Sequence, residues 1–336
     1  MFMINFVEFA AESSRGVVLA TLFLYTKSLG GDLAFMGMLT SLFSVGRLIS
    51  STVFGWMCDH YSFRSVYLVS SGICLMGNVI YLIADQHVTG SLTALAASRF
   101  IVGFGAGNRS VCRADVASIT TINQRLTYLT MLATVVFLGY ALTPGLGSLV
   151  ANTDTYVLGI HFNKFTSPGL ILIVFNVLTI VGMVTLYDSS VQTRDGPLES
   201  SQDAAMKKTL SNITTMPERI VNVGNMMLVV MPASLSFPQL AVAEFFVWSV
   251  GCPITTAVVV AAFSKLLGGR PQGTLMGLLG SAASVSRIIL PLLPAAIPTL
   301  SPVFWINILL CTLIAITWKR FSGRIWLRTR SNSPAN

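Results

Sequence analysis

Long apolar blocks separated by short polar breaks dominate this chain, and each block is close to the length a helix needs to cross a bilayer. About 20 residues at 1.5 Å per residue cover roughly 30 Å of hydrocarbon. On that ruler ten spans are predicted, at roughly 3–26, 33–57, 65–84, 91–112, 126–150, 168–187, 222–237, 241–264, 274–296 and 302–319. The span near 222–237 is the weakest, being short, interrupted by Pro232 and closed by Pro238. Only one long polar stretch occurs, between the sixth and seventh spans, and its mixed charge with Ser and Thr reads as a solvated linker. The predicted fold class is all-α: a multipass transmembrane bundle of six helices plus about four. The division that follows is 1–190 for an N-terminal six-helix bundle, 191–221 for a cytoplasmic linker, 222–320 for the C-terminal bundle and 321–336 for a basic cytoplasmic tail.

Composition supports the same class. Of 336 residues, 53% are hydrophobic and only 10% charged, where soluble domains carry about 25% charge. So little charge cannot coat a soluble globule of this size. A soluble enzyme, a nucleic-acid binder and a disordered scaffold are thereby disfavoured, in spite of the net charge of +8. No HExxH, GxSxG or phosphate-loop pattern occurs, so an enzyme is not expected, nor a cofactor or metal. The five cysteines (Cys58, Cys74, Cys112, Cys252 and Cys311) form no CxxC pair and read as buried thiols.

Charge placement gives the expected topology. With the N-terminus cytoplasmic, only Lys27 and Lys164 fall on the opposite side, while Arg15, Arg47, Arg99 and Arg287 lie within spans. The remaining basic residues, with Arg109, Arg113 and Arg125 among them, fall on the cytoplasmic side together with the Arg-rich tail. This is the bias of the positive-inside rule, and it places both termini in the cytoplasm.

Charges inside spans cost about 2.5–3.5 kcal/mol each on insertion scales, so each needs a partner or a purpose. Glu8, Glu12 and Arg15 follow one another at i+4 and i+3 on one face of the first span. Two readings stand: an intrahelical Glu12–Arg15 pair, or a coupling-ion or proton site facing a cavity. Two acids against one base leave a carboxylate over, which favours the second as much as the first. Arg47 lies at a depth of roughly 15 Å from the same side and Glu12 at roughly 14 Å, so an interhelical pair is expected. Arg99 and Arg287 have no local acid and are candidates for contact with a substrate anion, a backbone carbonyl or a glutamate.

Gly103 to Gly107 reads GFGAG, but no strand precedes it, so it is not a dinucleotide loop. Gly103 with Gly107, and Gly273 with Gly277, form GxxxG pairs that read as close helix contacts. Three segments then carry a resemblance. Gly55-Trp56-Met57-Cys58-Asp59-His60-Tyr61-Ser62-Phe63-Arg64 is similar to the G-x-x-x-D-R-x-G-R-R loop of the major facilitator superfamily, keeping Gly55, Asp59 and Arg64. Arg99 through Gly105 resembles its R-x-x-x-G-x-G element. Gly139-Tyr140-Ala141-Leu142-Thr143-Pro144-Gly145 resembles the Gly-Pro motif of its exchangers, with Thr143 at a usual Gly. A narrower likeness, carried by FLYTKSLGG, SRFIVGFGAGN and the stretch from Arg113 to Arg125, is to the lysosomal branch linked to neuronal ceroid lipofuscinosis.

The resemblance implies a major-facilitator-like bundle that binds a small-molecule or ion substrate by alternating access, in a lysosomal or other endomembrane. Glu8, Glu12, Arg15, Arg47, Arg99 and Arg287 become substrate or coupling-ion candidates. Gly55, Asp59, Arg64 and Asp115 become a conformational gate, with Asp59 also near the start of the helix beginning around Gly273. Gly103, Gly105, Gly107, Gly139, Pro144 and Gly145 become helix-packing positions. The family has two six-helix bundles, so the C-terminal bundle here is shortened. A shortened non-transporting membrane protein and an anion-permeable channel-like protein therefore stand beside the transporter as alternatives, the lipid bilayer is an expected partner, and a homo-oligomer stays open.

Overall fold

The computed structural model describes residues 1–85, 88–121, 124–149, 155–157, 160–162, 165–188, 252–267, 271–289 and short pieces between 305 and 316. The weak span at 222–237, the linker, the basic tail and most of the last span lie outside the described residues, as does the side chain of Arg15. The helices are α1 (Phe2–Ser28), α2 (Leu33–His60), α3 (Phe63–Ile83), α4 (Leu92–Gly105), α5 (Arg109–Ile119), α6 (Arg125–Leu149), α7 (Ser167–Thr185), α8 (Cys252–Leu267) and α9 (Gly273–Ile289). Among the described residues, α2, α3 and α7 are long and apolar enough to cross a membrane. A small antiparallel hairpin of β1 (Thr155–Val157) and β2 (Ile160–Phe162) follows α6 and leaves the all-α class intact.

Local chemistry sets the helix ends where the sequence breaks. Asp32 accepts a hydrogen bond from the Phe35 amide at 2.8 Å and starts α2. Ser62 does the same for α3 and Ser91 for α4, and Pro168 occupies the first turn of α7, where its missing N–H costs nothing. Between α1 and α2 the chain reverses through Gly30 at φ +86, a left-handed conformation that glycine adopts without a Cβ penalty. The predicted fourth span is continued to Ile119 through a tight 3-10 turn at Ala106–Asn108.

One compact unit comprises Met1–Asp195 and Phe263–Ile297. Within it α4 packs between α2 and α3, and its glycines explain how. Gly103 and Gly107, four apart, face α2: a Cβ on Gly103 would collide with the Phe43 carbonyl and one on Gly107 with Ser50. Gly105 lies between them in sequence and faces α3, where a Cβ would stand 2.8 Å from the Cys74 amide. Gly139 brings α6 to α1, although a Cβ there would sit 3.6 Å from Glu12, an ordinary contact. For Pro144 and Gly145 the helix is described but their surroundings are not.

Helix α9 lies along α2, with Gly55 against the Gly273 carbonyl and Gly277 against Ser51. Both expected GxxxG pairs are therefore sites of close helix approach. Away from the Met1 end, Val18, Leu22 and Tyr25 of α1 close against Leu39, Tyr81, Leu95 and Leu172 in an apolar cluster. There Tyr25 stacks on Phe165 at 5.6 Å and its hydroxyl donates to the Tyr81 carbonyl at 3.1 Å. The second unit comprises Gly196–Ala262 and Pro298–Asn336. Its described part is most of α8, with Ala257, Val260 and Ala261 buried, and an apolar helical stretch exposing Trp305, Leu309 and Leu313.

Candidate functional site

The first helix places two carboxylates one turn apart on its inward face, and both are buried. Glu8 is 1% exposed and Glu12 fully enclosed. Arg47 of α2 donates from Nη2 to Glu12 Oε1 at 2.6 Å, the interhelical pair expected from matched depth. Arg109, the first residue of α5, reaches both acids: its Nε lies 2.9 Å from Glu8 Oε1 and its Nη1 3.2 Å from Glu12 Oε1. Three helices thus converge on one buried ionic network, and Arg113, one turn further along α5, lies in the field of Glu8, Arg109, Arg47 and Arg287.

Arg109, Arg113 and Arg125, which the sequence reading counts with the cytoplasmic charges, are enclosed by the described helices. All three are buried, at 8%, 7% and 3% exposure. The physical reason is the continuation of α4 into α5, which brings Arg109 to the acids of α1. Arg125 donates to the Ala117 carbonyl at 2.9 Å, tying the start of α6 to the end of α5. A signal for Arg109 is present in the sequence: Val111, Cys112, Ala114, Val116 and Ala117 prolong the apolar block beyond the ruler length.

Arg99 is buried in α4 at 3% exposure, its guanidinium 4.8 Å from the centre of the Phe43 ring, a cation–π contact. Arg287 is half-buried near the end of α9.

At the Met1 end the expected gate divides into three separate contacts. Asp59 accepts from the Gly273 amide and the Thr274 amide, each at 2.8 Å, and from the Thr274 hydroxyl at 2.5 Å. It caps α9, whose unpaired N–H groups and helix dipole favour a carboxylate, and Gly55 permits the approach by resting on the Gly273 carbonyl. Arg64 instead donates to the Val184 carbonyl at 2.6 Å, at the C-terminal end of α7. Asp115 joins neither of them. Its Oδ2 accepts from Tyr67 at 3.0 Å and from Tyr187 at 2.8 Å, so two hydroxyls replace the expected guanidinium. Asp115 lies three residues beyond the predicted fourth span. It lines a cleft of about 380 Å³ with Ile119, Leu186 and Tyr187.

Among the described residues no cluster of His, Cys, Asp and Glu is arranged to hold a metal ion. What the network offers is exchangeable charge: two carboxylates able to take a proton, and guanidinium groups able to hold an anion when a carboxylate is neutralised.

Residues 1–221 match the family model described as Major Facilitator Superfamily. Over 169 residues the chain is 25% identical to major facilitator superfamily domain-containing protein 8 of Xenopus laevis, a stretch covering 48% of this chain and 33% of that protein. The chain therefore matches about a third of that relative's length. Among solved structures, it is similar to the human organic anion transporter MFSD10 (TETRAN), with a TM-score of 0.58 at 16% identity over 92% of this chain and 98% of that one. The proton:xylose symporter XylE superposes with a TM-score of 0.73 at 10% identity over 95% and 94% of the two chains. A bacterial homologue of the iron transporter ferroportin gives 0.67 at 11% identity over 95% and 98%. At such identities the likeness is one of fold.

Proposed function

The chain belongs to the major facilitator superfamily, and on that premise we propose that it is a secondary transporter moving a small solute or ion by alternating access. The observation that carries the reading is the buried network of Glu8, Glu12, Arg47 and Arg109. Removing an ion from water costs several kcal/mol even after relaxation, so four ionic side chains enclosed within helices are an expensive way to stabilise a bundle. They suit a site whose charge changes during a cycle. Glu8 is the coupling-proton candidate: neither of its oxygens has a hydrogen bond of good geometry among the described residues, although Arg109 faces it. Glu12, held by two guanidinium groups, is the fixed counter-charge. Protonation of Glu8 frees positive charge on Arg109, which then attracts a substrate or its partial charge.

Arg99 and Arg287 are further substrate candidates, and Asp59 on the start of α9 is the contact that holds one conformational state. The orientation consistent with charge placement puts the Met1 end in the cytoplasm, and the resemblance to the lysosomal branch favours an endomembrane. The test is uptake by proteoliposomes of a panel of sugars, amino acids, organic acids and inorganic ions under an imposed proton gradient. Accumulation of one class, collapsing with the gradient, supports the reading. Folded protein that moves nothing in the panel points to the alternative, a membrane protein without transport.

A further inference from the structure

An α-helix ends in carbonyls that lack an intrahelical partner, and the last turn of α8 presents such an end close to the start of α9 that Asp59 caps. The side chain that meets it is Arg125, the first residue of α6 and only 3% exposed. Its Nη2 donates to the Ala117 carbonyl at 2.9 Å, in the last turn of α5, and its Nη1 to the Ser264 carbonyl at 3.5 Å, in the last turn of α8. Ser264 is fully buried, and Gln272, directly before α9, folds the turn back onto it. Ser264 Oγ donates to Gln272 Oε1 at 2.7 Å, and Gln272 Nε2 donates to the Ser264 carbonyl at 3.4 Å. We infer that Arg125 is a second closing residue at the Met1 end, which together with Asp59 clasps the α8–α9 turn and must release it when that end opens. The inference rests on the reading of the chain as an alternating-access carrier.

The two jaws carry opposite charges, and each matches the helix end it holds. A helix start bears partial positive charge and a helix end partial negative charge. Asp59, from the last turn of α2, takes three donors at the start of α9. Arg125, from the first turn of α6, takes carbonyls at the ends of α5 and α8. Only residues 268–272 separate α8 from α9, so a hold on one helix end restrains the other. The guanidinium suits the task because its separate nitrogens reach two carbonyls at once, where a lysine would offer one compact charge. Its bond to Ala117 is the shorter of the two, so the fork stays anchored on α5 while the longer bond to Ser264 is the one that breaks. At the far end of the same helix pair, Ser41 of α2 donates to the Ile288 carbonyl of α9 at 2.9 Å. That contact lies outside the clasp and gives α9 a point to swing from.

The experiment measures spin-label distances in the full chain in lipid nanodiscs, with the five native cysteines changed to alanine. One label pair, Thr127→Cys with Pro271→Cys, spans the clasp at exposed positions of α6 and the turn. A second, Leu33→Cys with Ile289→Cys, spans the far ends of α2 and α9. Arg125→Ala should raise the ratio of long to short distances across the clasp at least about fivefold and leave the far pair unchanged. Arg125→Lys keeps the charge without the fork and should restore only part of the short population. Adding Asp59→Asn to Arg125→Ala should open the clasp further than either change alone. A parental distribution across the clasp in Arg125→Ala overturns the inference, and so does lengthening of both pairs, which would make Arg125 a general support of the packing. Opening confined to the clasp, in a protein that moves nothing in the flux panel, keeps the clasp and overturns the carrier reading. Should Arg125→Ala fail to fold, Arg125→Lys decides the matter, a parental distribution there overturning the inference.

Discussion

Neutralising Glu12 and Arg47, singly and together, tests the ionic network through its energetics. Breaking a buried pair by removing one partner typically costs about 3–5 kcal/mol, because the other charge stays buried. The two single changes should not cost the same. In Arg47→Gln, Glu12 keeps Arg109 at 3.2 Å, so the loss should lie near the lower end, about 3 kcal/mol. In Glu12→Gln, Arg47 loses the carboxylate at 2.6 Å and Arg109 loses one of its two acids while keeping Glu8, so the loss should approach about 5 kcal/mol. The double variant removes both buried charges at once and should be more stable than the sum of the singles implies, by about 1–3 kcal/mol. Equilibrium unfolding of the purified chain in detergent micelles, all four members measured under the same conditions, gives the cycle. Additivity within about 0.5 kcal/mol would refute the reasoning, since it would mean that Glu12 and Arg47 do not interact in the folded protein. Equal single losses would instead remove Arg109 from the argument.

The glycines separate more simply. Gly103→Ala drives a methyl group into the Phe43 carbonyl and should cost about 1–3 kcal/mol in the same assay, whereas Gly139→Ala, with its nearest neighbour at 3.6 Å, should be close to neutral. Asp59→Asn replaces an acceptor-only group that takes three hydrogen bonds at the start of α9. It should loosen α2 from α9 and raise the alkylation rate of Cys58, which is buried beside that contact; an unchanged rate would mean the cap does not hold the two helices. Cysteines placed in the loop at 29–32 and at Tyr61 should label from opposite sides of a sealed vesicle, since α2 joins the two positions through a single span; labelling from one side would remove α2 from the membrane.

Much of this arrangement was legible in the amino-acid order because it depends on local rules. Apolar block length located α1, α2, α3 and α7 within a few residues, and matched depth brought Glu12 to Arg47 without knowledge of helix rotation. Gly103 and Gly107 announced their shared face by spacing alone. Arg109 was missed because a basic residue near the end of an ideal-length span looks like a topology signal; only the tertiary placement of α5 beside α1 shows it meeting two acids. The division of the gate had the same origin. Asp59, Arg64 and Asp115 are close to the same end of the bundle, but Arg64 takes a backbone carbonyl and Asp115 takes Tyr67 and Tyr187, partners that give no charge pattern to read. Tyr187 lies 72 residues from Asp115 in the chain, beyond the reach of any spacing argument.

The central claim, that Glu8 couples proton movement to transport, is tested most directly by comparing two modes of flux in one variant. Proteoliposomes containing Glu8→Gln are assayed for exchange of a transported solute across the membrane without a gradient, and for its accumulation driven by a proton gradient. The account predicts that exchange persists while gradient-driven accumulation is lost, because the carrier can still change conformation but can no longer bind the proton that makes the movement directional. Accumulation by Glu8→Gln to the parental level would contradict it.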